Sequence, residues 1–98
     1  MNENRELLNI VKEELGLPDN TKFVGFVVHL PDTDEFLGDI TRNRGIEKRM
    51  WSKVPDLAKI YKNRKKAERE AMSTGKGAVV GILLDIGDQY VFAIDTGP

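Results

Sequence analysis

Arg42 to Arg69, RNRGIEKRMWSKVPDLAKIYKNRKKAER, decides how the rest of the chain is arranged. From Val54 its apolar spacing is helical. Leu57, Ala58, Ile60, Ala67 and Ala71 share one stripe if a helix runs unbroken from Pro55 to about Met72. Pro55 suits a first helical position, where its missing N–H costs nothing. The alternative is a short helix to Tyr61 and a second one capped by Asn63. That version puts Arg64, Lys65 and Lys66 in a first turn, where the helix dipole disfavours each positive charge by a few tenths of a kcal/mol. The electrostatic cost favours one bent helix stopped by Gly75, and Arg42-Asn43-Arg44-Gly45 ahead of it reads as a loop.

The same stretch dominates the charge distribution. It holds eleven basic residues against Glu47, Asp56 and Glu68, a balance of +8. The chain as a whole has 15 basic and 16 acidic residues, so the remainder carries −9 and a strong dipole is hidden inside a net charge of −1. The only Trp, Trp51, lies within the basic block.

Outward from this block both flanks read as β-hairpins. Downstream, Ala78 to Ile86 and Gln89 to Asp95 flank Gly87-Asp88, a two-residue Gly-X link that signals a type II′ turn. Such a closure fixes the register, with Ile86 facing Gln89, Asp85 facing Tyr90, Leu84 facing Val91, Leu83 facing Phe92 and Ile82 facing Ala93. Both faces of this hairpin are largely apolar, so it should lie centrally or be covered on its second face by a helix or another subunit. Upstream, Lys22 to Leu30 is rich in β-branched and aromatic residues. Strict alternation places Val24, Phe26, Val28 and Leu30 on one face and Phe23, Gly25, Val27 and His29 on the other. Pro31 to Asp34 forms a turn, and Glu35 to Ile40 a short return strand. Before them Leu7, Leu8, Val11 and Leu15 mark an amphipathic helix that Asn2 or Asn4 can cap and that Gly16-Leu17-Pro18 stops. The fold class is α+β, an antiparallel sheet of two hairpins packed with helices in the order α-β-β-α-β-β.

With 98 residues the chain fits one domain with a small core. There is no cysteine and a single histidine, so a disulfide framework, a thiolate site and a His-rich zinc site are excluded and no cofactor or metal is expected. The N-terminal stretch is acidic and amphipathic, without the pattern of a signal peptide, and no window approaches the roughly 18 apolar residues of a membrane span. A cytoplasmic location without membrane association is the expectation.

The candidate binding residues are Arg42, Arg44, Lys48, Arg49, Trp51, Lys59, Lys62, Lys65, Lys66 and Arg69. They support two readings: docking to a protein partner through a charged face, or contact with nucleic-acid phosphates while Trp51 or Tyr61 stacks on an unpaired base. The bland counterpart is a solvated helix face with Trp51 in the core. Head-to-tail association of basic and acidic patches would give a homo-oligomer, and a cluster of carboxylates including Glu13, Asp32 and Asp39 could equally serve as the docking face, imitating a phosphate backbone for a nucleic-acid-handling partner. His29 is the sole candidate general base, for a small hydrolase, and Asp39 on the paired strand is its expected partner; a half-buried sheet histidine is the commoner outcome. Ser73-Thr74-Gly75-Lys76-Gly77 follows a helix instead of opening one, so it is a helix stop and not a phosphate loop.

Phe36-Leu37, Trp51-Ser52, Ala58-Lys59-Ile60-Tyr61 and Ala67 with Ala71 together resemble a pattern in small orphan proteins of bacteriophages and mobile elements. There a hairpin is followed by a loop, a Trp, an Ala-Lys-hydrophobic-aromatic turn, an Ala-spaced helix and a closing strand. The resemblance covers about the central two thirds of the chain. It implies that Trp51 and Tyr61 pack on the sheet and that the role is that of a non-enzymatic accessory or inhibitor protein.

Overall fold

The structure, a computed structural model, describes residues 3–94. Of the two expected caps, Asn4 falls inside the first helix and so is not its cap, while Asn2, like the end of the chain from Asp95 on, lies outside the described residues. Helix α1 (Glu3–Leu15) is followed by strands β1 (Lys22–Leu30), β2 (Glu35–Asn43) and β3 (Ile46–Ser52), helix α2 (Arg64–Thr74), and strands β4 (Val79–Asp85) and β5 (Tyr90–Ile94). A single 3-10 turn at Pro55–Leu57 stands between β3 and α2. The class is α+β, as expected, but the antiparallel sheet has five strands, in the order β3-β2-β1-β4-β5.

Two expectations about the basic stretch are corrected. Arg42 to Trp51 is a hairpin and not a loop. β2 runs on to Asn43 and pairs with β3 from Phe36↔Ser52 to Asn43↔Ile46. Arg44 and Gly45 close it with φ of 53° and 79°, the positive pair that a two-residue type I′ turn requires.

The single bent helix is replaced by a break. The chain leaves β3 through the 3-10 turn, runs extended past Ala58 and enters α2 only at Arg64. Backbone hydrogen bonds fix the extended piece. Lys59 donates to the Leu37 carbonyl at 2.8 Å, and Tyr61 and Phe26 exchange both of theirs at 2.8 Å. The crossover is thereby inserted between β1 and β2, whose own pairing is confined to His29↔Phe36 and Leu30↔Glu35.

Glycines make room for it. A Cβ on Gly25 would lie 2.4 Å from Ile60 Cγ2 and 3.0 Å from the Tyr61 carbonyl oxygen, and one on Gly38 would lie 3.1 Å from the Leu57 carbonyl oxygen. The N-cap decides the start of α2. Asn63 Oδ1 accepts from the amides of Lys65 and Lys66 at 2.8 and 3.3 Å. A cap is worth about 1 kcal/mol, enough to offset three charges at a few tenths each.

Both helices lie on one face of the sheet. There Phe26, Val28, Leu37, Ile82 and Leu84 meet Ala67 and Ala71 of α2 together with Leu7, Leu8 and Val11 of α1. The other face has a smaller core of Val27, Phe36, Leu83 and Ala58, the last supplied by the crossover. A bulge between Phe23 and Gly25 breaks strict alternation, so Phe23 joins the helix side and Val24 the other. The β4–β5 register is the expected one at every pair from Ile82↔Ala93 to Asp85↔Tyr90. β4 is internal, whereas β5 is an edge strand.

Candidate functional site

The candidate residues fall into three groups. On the β2–β3 hairpin, Arg42, Glu47 and Arg49 share the helix side of the sheet, and carboxylates hold both arginines. Arg42 Nε donates to Glu47 Oε2 at 2.6 Å. Arg49 reaches Glu47 Oε1 at 2.8 Å, Glu70 Oε2 at 3.0 Å and the Ser73 hydroxyl at 2.9 Å. Ser73 in turn donates to the Glu70 carbonyl oxygen at 2.9 Å. This network clamps the hairpin to α2, and Arg42 and Arg49 are structural ties before they are ligand contacts. Arg44 sits in the turn and Lys48 projects to the opposite face, both exposed.

The second group is aromatic. Trp51 is half-buried against the larger core, with Lys76 Nζ 5.9 Å from its ring centre. Tyr61 packs into the same core beneath Lys59, whose Nζ lies 5.7 Å from the ring centre. The Tyr61 hydroxyl is buried and has no hydrogen-bond partner among the described residues. Burial pushes its pKa up to about 12; the Glu70 carboxylate adds to the rise, while Arg42 and Arg49 oppose it. Both rings are partly buried against the larger core.

The third group is α2 with its approach. Lys62, Lys65, Lys66 and Arg69 are exposed, and the first turn of α2 contains no acidic residue. Arg64 turns inward, its guanidinium carbon 5.4 Å from the centre of the Phe26 ring. Ala67 and Ala71 face the core, so helical geometry puts Lys65, Arg69 and Met72 together on the outer side. Met72 is 82% exposed. No protein-family model, curated protein or solved structure matches the chain.

His29 lies elsewhere, on the face away from the helices, and is 5% exposed. Its ring sits 4.8 Å from Phe36 and 4.5 Å from Phe92, centre to centre. The expected Asp39 is not its partner. Nε2 bonds Asp34 Oδ1 at 2.9 Å, because the turn between β1 and β2 brings Asp34, at a φ of 56°, back over the end of the strand. Asp39 instead accepts from the Ile40 amide. His29 therefore serves the fold as a clasp between the turn and the smaller core.

Sequence reasoning missed Glu70, Ser73 and Met72. The spacing of Lys65, Arg69 and Met72 opposite the inner stripe of Ala67 and Ala71 carried a signal for the last. The Arg49–Glu70 tie spans 21 residues and had no local signal.

Proposed function

We propose that this chain is a non-catalytic interaction module, an accessory protein of a phage or mobile element that docks on an acidic patch of a host protein through the outer side of α2. The observation that carries this reading is Met72, 82% exposed, on the same helical stripe as Lys65 and Arg69. A flexible apolar side chain beside two cations, with Glu68 the one carboxylate on that side of the helix, has the composition of a protein-binding surface, where Met and Arg are enriched. The basic first turn supports it. Lys65 and Lys66 add to the positive end of the helix dipole at a cost in stability that an anionic partner would offset. The phage setting rests on the resemblance of the Trp51 to Ala71 segment alone.

Nucleic acid is the rival ligand. Against it, Arg42 and Arg49 are held by carboxylates, and Trp51 and Tyr61 are packed into the core. The test is capture of partners from host lysate, identification, and remeasurement of binding with purified components at low and physiological salt. Lys65→Glu with Arg69→Glu is expected to weaken binding at least tenfold, and Met72→Ala to weaken it with little change in salt dependence. Indifference to both changes would overturn the proposal. Steep salt-dependent binding of labelled DNA or RNA, lost on the same charge reversals, would replace it with the phosphate reading.

A further inference from the structure

We propose that the β5 edge pairs with a second copy of this chain, antiparallel and two-fold symmetric about Phe92. The surface is distinct from the outer side of α2.

Three features of the sheet lead there. The first is uneven cover. α1 and α2 both pack on one face, so among the described residues the second face of the apolar β4–β5 hairpin has only the crossover over part of it. Tyr90 and Ile94 of that face remain 37% and 57% exposed.

The second is the contrast between the edges. β3 displays Glu47, Lys48 and Arg49, the kind of charges that keep an edge strand from pairing with another chain. β5, Tyr-Val-Phe-Ala-Ile, has no charged residue.

The third feature is register, which selects the occupant. Ile86 donates to the Gln89 carbonyl oxygen across the two-residue turn, making that pair hydrogen-bonded. Bonded and non-bonded pairs then alternate along the hairpin. Val91 and Ala93 spend their backbone groups on β4, while Tyr90, Phe92 and Ile94 direct theirs outward. A second β5 centred on Phe92 sets Phe92 against Phe92, Tyr90 against Ile94 and Ile94 against Tyr90, all of them outward-bonding positions. Every outward N–H and C=O of the strand then finds a mate, and every facing pair of side chains is apolar. The charge match is equally good, since an uncharged strand opposes itself without repulsion, whereas a charged guest peptide would lose solvation. The paired rings extend the His29, Phe36 and Phe92 cluster from one copy into the next.

Five residues per copy make a small interface, so the dimer forms reversibly. Sedimentation velocity of the full chain over a hundredfold concentration range is expected to show the mass rising from 11.0 kDa towards twice that value. Tyr90→Lys with Ile94→Lys places lysine against lysine and should keep the chain monomeric throughout. Tyr90→Glu with Ile94→Lys places glutamate against lysine in this register alone and should restore the dimer. Both positions are solvent-facing, and circular dichroism checks that each variant is folded. A wild type that stays monomeric over the whole range, or a dimer indifferent to the lysine pair, overturns the proposal.

Discussion

The hairpins β2–β3 and β4–β5 close opposite ends of one sheet, each with a two-residue turn: Arg44-Gly45 in the first, Gly87-Asp88 in the second. They are stabilised differently. β4 is buried on both faces, with Ile82 and Leu84 under the helices and Leu83 on the other side, and the hairpin is held by apolar contact. From Thr41 to Lys48 the first hairpin is exposed on every residue, and it is tied down by the Arg42–Glu47–Arg49–Glu70 chain of ion pairs. Equal turn length therefore does not mean equal stability. Buried area holds one end of the sheet, and a polar strap joins the other to α2.

Three substitutions sharpen or break that contrast. Leu83→Ala should cost about 2–5 kcal/mol in urea unfolding, since it opens a cavity at a fully buried site, whereas Ile46→Ala at the exposed tip of the first hairpin should stay within about 0.5 kcal/mol. Comparable losses at the two sites would mean that the hairpins are not held differently. Glu70→Ala should cost about 1–2 kcal/mol, because Arg49 keeps a largely buried guanidinium with one carboxylate fewer. The same substitution should also raise proteolysis within Thr41 to Lys48, and an unchanged cleavage rate would show that the strap does not restrain the hairpin.

The smallest effect concerns Tyr61, which lies beneath the strap. Its folded pKa is raised from 10.0 to about 12, so the folded state keeps its proton longer than the unfolded chain. Stability is then independent of this group below pH 10 and falls as the pH rises from 10 towards 12. After allowance for partial solvent screening, the loss is about 1 kcal/mol. Tyr61→Phe should remove that alkaline slope and leave stability at pH 7 nearly unchanged, because the buried hydroxyl has no hydrogen bond to lose among the described residues. Urea titrations at pH 8, 10 and 11.5 read both.

What could be read from the sequence follows the same divide. The β4–β5 register was legible down to each pair because a Gly-X turn and apolar alternation are local signals. α1 and its stop at Gly16 were legible for the same reason. β3 was not, since IEKRMWS has no apolar alternation and becomes a strand through pairing with β2 and the tie from Arg49 to Glu70. Leu57, Ala58 and Ile60 imitate a helical stripe, but backbone bonds from Lys59 to Leu37 and from Tyr61 to Phe26, more than 20 residues back along the chain, hold that piece extended. At the site, the exposure of Lys62, Lys65, Lys66 and Arg69 was legible from charge. The neutralisation of Arg42 and Arg49 depends on that same long-range pairing and was not.

Amide hydrogen exchange compared at low and high protein concentration tests most directly whether the two ends of the sheet differ in kind. The expected result is protection that grows with concentration at the amides of Tyr90, Phe92 and Ile94, with Val91 and Ala93 protected at both concentrations and β3 unchanged. Exchange that is independent of concentration along β5, or protection gained along β3, would contradict a self-pairing apolar edge opposite a charged one that stays open.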